Sequence, residues 1–171
     1  MGPTSVHKLG DCLKGVLRRL PSPVGIITTY GSDRAPVGAA ISAMMPVTLA
    51  PCAIAVCIDR SGSVHEALVQ AGRFCINLLD PDQTEWFEPF ANADLRDSRF
   101  LQADWRQRDA VWFVEGAPAN IFCTIANVTP FGTHDLIIGA VDHLQAADCG
   151  EIVGWANGQV GRLVPLSQVS A

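Results

Sequence analysis

Hydrophobic residues recur along this chain with two different periods, and the changes of period mark out its elements. Near the start, Leu9, Cys12, Leu13, Val16, Leu17 and Leu20 fall at helical spacing, with Lys8, Lys14, Arg18 and Arg19 on the polar side. That spacing predicts an amphipathic helix ending at Pro21. Beyond it, aliphatic runs bounded by turn residues predict strands at 24–30 and 37–42, joined by a GSDRAP turn. The run at 53–58 is too short for a typical helix and predicts a buried strand, followed by a helix over 63–71 and a strand over 74–79. Asp80 or Asp82 can cap a helix running to about residue 91 that carries Trp86, Phe87 and Phe90. A charged, irregular segment at 92–107 precedes predicted strands at 111–114, 121–128, 136–141 and 152–155. Asn157-Gly158 is a strong hairpin turn before a last strand at 159–163.

Many strands, few helices and no linker or repeat predict a single mainly β domain over residues 1–171, built as a closed or split β-barrel. Such a barrel solves the problem of exposed strand edges. At 171 residues the chain is long enough to bury a substantial core. Charged residues are only 17% and hydrophobic ones 49%, leaving little polar surface, and a homodimer interface would account for the excess. The net charge of −5, with no basic tract beyond Lys14, Arg18 and Arg19, argues against nucleic acid as a partner and points to small molecules.

Six cysteines change little. They form no Cys-x-x-Cys pair and no zinc-type cluster, and Cys57, Cys75 and Cys123 lie in aliphatic runs, so all six are expected to be reduced core thiols with no metal. The start carries neither a signal-peptide pattern nor a myristoylation pattern, and no apolar run approaches the ~20 residues that span a bilayer. The expectation is a cytoplasmic protein without a membrane segment.

The stretch PFGTHDLIIGAV, residues 130–141, places His134 where a turn opens onto a buried strand. A rigid scaffold often holds a binding group there, but a hairpin histidine beside an aspartate is more often an ordinary solvated residue.

The order RRLPSPVGIITT, VGAAISAMMPVTLAPCAIAVCIDRSGS, GRFCINLL, FANADLRDSRF, GAP, FGTHDLIIGAV and WANGQVGRL, across residues 13–163, resembles the flavin reductase-like, FMN-binding split-barrel family. The resemblance implies a Greek-key split barrel and a homodimer. It implies an NAD(P)H:flavin oxidoreductase that supplies reduced FMN or FAD to a partner monooxygenase. Hydride passes from NADH or NADPH to flavin N5, so the protein has to position two rings and balance charge.

By this resemblance His134 occupies the histidine of the family's Gly-Asp-His motif, beside flavin and nicotinamide. Ala39, Ala40, Ile41, Ser42, Ala43 and Thr48 would line the ribityl and phosphate path. Cys57, Ile58 and Asp59 would offer main-chain groups to the ring edge, and Ser22, Pro23 and Val24 would flank the flavin from the preceding strand. Phe90 matches the flavin-adjacent helix end. Arg60 and Ser61 read either as a phosphate contact or as a solvated turn, and Arg99 either as a phosphate-approaching cation or as a surface arginine.

Departures accompany the matches. Ala40 and Pro46 replace hydroxyl residues, Ser22-Pro23-Val24 replaces Thr-Gly-Val, and Thr133 replaces the motif's aspartate, with Asp135 expected to compensate from the other side. Two lost hydrogen bonds at about 0.5–1.5 kcal/mol each imply loosely held flavin. They also keep open a non-catalytic split barrel that binds flavin, haem or another planar cofactor. His7, His65 and His143 match no motif and are expected to tolerate replacement.

Overall fold

Twelve strands and three short α-helices make up the computed structural model, which describes residues 6–148 and 150–164. The helices are α1 (Val6–Leu17), α2 (His65–Ala71) and α3 (Glu88–Ala91). The strands run β1 (Ser22–Pro23), β2 (Gly25–Tyr30), β3 (Pro36–Ile41), β4 (Met44–Leu49), β5 (Cys52–Asp59) and β6 (Arg73–Leu78). They continue with β7 (Trp105–Arg108), β8 (Val111–Val114), β9 (Ala119–Phe131), β10 (His134–Ala146), β11 (Gly154–Ala156) and β12 (Gln159–Gly161). Cys149, with residues 1–5 on which the leader expectation falls, lies outside the described residues.

A seven-stranded antiparallel sheet, in the order β3-β2-β6-β9-β10-β5-β4, curls into a split barrel that does not close. A three-stranded sheet, β1-β11-β12, and the β7-β8 hairpin complete it. The inner core is aliphatic: Ile27, Ile41, Val56, Ile58, Leu68, Ile76 and Ile137 pack around Phe74. Burying each such side chain contributes about 1.5–3 kcal/mol. A second cluster, Val24, Ile26, Leu79, Phe87, Phe90 and Val153, seats α3 against the barrel.

The structure differs from expectation at four places. Residues 44–49 form an edge strand, β4, that periodicity hides because Pro46 sits inside it; proline is tolerated at an edge, and the register shifts there between Pro46 and Thr48. The helix expected after Asp80 divides into a 3-10 turn, Pro81–Trp86, and α3. Asp80 caps the first by accepting from the Asp82 N–H at 2.8 Å. The charged segment contains a 3-10 turn, Ala93–Ser98, and strand β7, whose polar side chains face solvent while its backbone pairs with β8.

The fourth difference concerns the cysteines. Cys75 and Cys123 are buried, whereas Cys12, Cys52 and Cys57 are exposed free thiols. An aliphatic run reports burial of the strand, but alternation along β5 buries Val56 and Ile58 and turns Cys57 outward.

Candidate active site

Four adjoining clefts meet at one point, Ser42, where the chain leaves β3 before entering β4. The first, of about 300 Å3, is lined by Ala39–Ala43, by Cys57, Ile58 and Asp59, and by His134 at its far end. The second, of about 230 Å3, runs past Ser22, Pro23, Met44 and Met45. The third, of about 240 Å3, adds Val24, Phe90 and Trp155. The fourth and widest passes under α1, between Leu13, Leu17 and Trp155. Together they form one groove along the barrel mouth.

Its walls follow from strand pairing. β5 pairs with β10 over Ala53–Asp59 on one side, but with β4 only over Cys52–Val56 on the other. Cys57, Ile58 and Asp59 therefore leave one strand edge facing the groove, where the Cys57 N–H donates to the Ala43 carbonyl at 2.9 Å and the Asp59 carbonyl accepts the Gly62 N–H at 2.9 Å. Small side chains opposite, at 39, 40, 42 and 43, let a ligand approach the main chain.

His134 is exposed and opens β10 directly after a two-residue turn in which Gly132 adopts a φ of 59°. Its Nδ1 lies 2.8 Å from Thr133 Oγ1, and across the sheet it stands in register with Asp59. Asp59 is held below the usual carboxylate range by the Ser61 backbone N–H and hydroxyl, with His134 and Arg60 adding attraction.

Asp135 does not support His134. Strand alternation turns the carboxylate inward, 6% exposed, where it takes His65 Nε2 at 2.7 Å. His65, which matched no motif and was expected to tolerate replacement, is thus the partner of a buried carboxyl group. An acidic residue at an inward strand position was the available signal.

Other candidates stand apart from the groove. Thr48 faces the β4–β5 turn, its hydroxyl accepting the Ala50 N–H at 3.2 Å. Ser61 is turned onto Asp59, and Arg60 donates to the Gly132 carbonyl. Arg99 donates to the carbonyls of Pro89 at 2.8 Å, Gly38 at 3.0 Å and Phe90 at 3.3 Å, clipping α3 to β3. Burial, and then the charge of Arg96, lower its pKa. Trp155, Gly62 and Val64 line the groove without having been singled out by sequence.

Residues 17–163 match the flavin reductase-like domain family, and the chain belongs to that family. It is 27% identical over 153 residues to the reductase component of the FADH(2)-dependent resorcinol hydroxylase of Rhizobium sp. MTP-10005, covering 88% of this chain and 86% of that one. It is 32% identical over 139 residues to the NADH flavin reductase of Kitasatospora aureofaciens, covering 77% and 70%. Nitrilotriacetate monooxygenase component B of Mycobacterium thermoresistibile has a crystal structure that superposes with a TM-score of 0.82 at 26% identity, over 95% of this chain and 90% of that one. Family and fold thus define the class: an oxidoreductase that uses flavin with NADH or NADPH.

Proposed function

We propose that this protein reduces FMN or FAD with NADH or NADPH and passes the reduced flavin to a flavin-dependent monooxygenase. The observation that carries this reading is the continuous groove that joins the small residues 39–43, the open edge of β5 and His134. Its donor set fits a flavin: hydroxyls at Ser22 and Ser42, main-chain groups at 57–59, and Phe90 and Trp155 at the third cleft. Bound there, flavin supplies the acceptor for the hydride of reduced nicotinamide.

The chain's own residues bind and orient. Ala39–Ala43 admit the ribityl chain close to the backbone, while Pro23 and Val24 flank it. The open edge at 57–59 offers backbone groups to the ring, and Asp59 stays ionised at the working pH. His134 donates a hydrogen bond to the nicotinamide or the reduced ring, which an imidazole does in either charge state. Arg60, Ser61, Arg99 and Thr48 support the frame around the groove rather than the ligand.

We further propose a cytoplasmic homodimer. The exposed thiols suit a reducing compartment, and the apolar residues left exposed on α1 and on edge strand β4 suit a second copy. Among the described residues no helix is long and apolar enough to cross a membrane.

The test follows NADH and NADPH oxidation under air with and without FMN, FAD or riboflavin. Oxidation is expected only when flavin is present; no flavin-dependent turnover would overturn the reading and favour a carrier. Mass-spectrometric mapping of alkylation adds the location. Flavin is expected to protect Cys57, inside the groove, while Cys52 stays reactive.

A further inference from the structure

Asp135 occupies an inward position of β10, two residues before Ile137, on a face where Ile58, Val64 and Leu68 make an aliphatic core. An ionised carboxylate there is costly unless paired, and an aliphatic side chain of similar size is often more stable than a buried ion pair. This one is met from two sides. His65 Nε2 lies 2.7 Å from Oδ2 and Arg60 Nε lies 3.9 Å from Oδ1, which has no hydrogen-bond partner.

The three residues come from three segments. Asp135 follows His134 directly. His65 opens α2, one residue after Val64, which lines the groove. Arg60 lies in the loop between β5 and α2, where its backbone N–H donates to the Thr133 carbonyl at 3.0 Å and its guanidinium to that of Gly132. One buried carboxylate therefore ties together the hairpin tip that presents His134, the loop that follows Asp59 and the start of α2. These segments form the His134 end of the groove. The small-residue arm, from Ser22 to Ala43, touches none of them through this pair.

We propose that Asp135 and His65 are a positioning pair, holding His134 and the residue 59–64 loop in the arrangement that binds reduced nicotinamide. This rests on the flavin reductase reading above. Neither side chain touches a ligand. Asp135 acts through the backbone it shares with His134, and His65 through Asp135. The fold does not need the pair for its apolar core, so its loss is expected to alter function more than stability.

The experiment compares the full-length wild type with His65→Gln, Asp135→Asn and the double variant His65→Leu/Asp135→Leu. The double variant leaves no buried charge, because Arg60, its side chain 48% exposed, can turn to water. The measurements are kcat and KM for the nicotinamide at saturating flavin, flavin Kd by fluorescence, and thermal midpoint. In the double variant kcat/KM for nicotinamide is expected to fall about tenfold, the equivalent of one hydrogen bond to a charged group. Flavin Kd should stay within about twofold and the thermal midpoint should be at least that of the wild type, since both pairing partners are replaced by apolar groups. His65→Gln, which keeps an N–H to offer the carboxylate, is expected to recover most of the loss, and Asp135→Asn to fall between.

A purely structural pair would lower the thermal midpoint and weaken flavin together. That result, or a folded double variant with wild-type kinetics, would overturn the positioning role while leaving the reductase reading intact. A wild type without flavin-dependent turnover would overturn both.

Discussion

His134 carries the sharpest expectation at the level of single residues. Its ring is exposed at the groove's end and, among the described residues, hydrogen-bonded only to its neighbour Thr133, so under the proposed function His134→Ala removes a ligand contact and little of the fold. Steady-state kinetics are expected to show kcat/KM for nicotinamide lowered by about 10–100-fold, the span of one to two good hydrogen bonds, with an unchanged thermal midpoint. Cys123 makes a different prediction. Burial, and then the charge of Asp142, push its thiol up to about 12, against about 8.5 in an unfolded chain. Below about 8.5 both states keep the proton, so the thiol makes stability no steeper with pH. Between there and 12 the unfolded chain loses a proton that the folded one retains, so stability falls as pH rises. Chemical denaturation across pH 8–11 should show this fall, with a shallower slope in Cys123→Val.

Among the elements, the β9–β10 hairpin decides the site because it carries Thr133, His134 and Asp135 from a sheet buried at its base. Its geometry depends on Gly139, which sits at a register shift beside the core. A Cβ there would lie 2.5 Å from the Phe74 ring and 2.8 Å from Cys123 Cβ. Gly139→Ala must displace both, an overpacking cost of about 1–3 kcal/mol. Urea titration should show the unfolding free energy lowered by that amount and the midpoint lowered with it, with flavin-dependent turnover preserved at low temperature. The hairpin also exceeds its sequence signature: thirteen residues in each strand, where the aliphatic runs marked eight and six. The C-terminal ends of both strands are largely solvated, so their composition is not strand-like even though their backbones pair. Edge strand β4 escaped notice for a related reason, since Pro46 contradicts a central strand but not an outer one.

Across the whole molecule, exposed apolar groups cluster at two places among the described residues: α1 and the turn after it, with Leu9, Leu13, Val16, Leu17 and Leu20, and β4, with Met45, Val47 and Leu49. Leu49 is 85% exposed, and Met45, Val47 and Leu49 reach solvent, whereas Met44 at the start of the strand packs against the inner core. Both places border the groove, and a second copy covering them would also shield the site from water. Light scattering at micromolar concentration is therefore expected to give twice the mass of the 18.3 kDa chain. A stable monomer that does not change on adding flavin would refute the dimer.

Sequence by itself determined the mainly β character, most strand cores, the turns at Gly132 and at Asn157-Gly158, and membership of a family that reduces flavin. These rest on local periodicity, turn chemistry and a motif order that survives without coordinates. It also named the groups that line the groove near His134, because small residues and an aliphatic strand followed by Asp59 mark that wall in one dimension. Only the tertiary structure decided which candidates face the groove. Arg99 is a case: a basic residue in a charged stretch reads the same whether it meets a phosphate or, as found, three backbone carbonyls of its own chain. Cys57 turned outward and Asp135 inward because alternation assigns faces only once strand register is known. The pairing of His65 with Asp135, 70 residues apart, depends on the first residue of α2 being brought beside the start of β10, a long-range contact that no local pattern encodes.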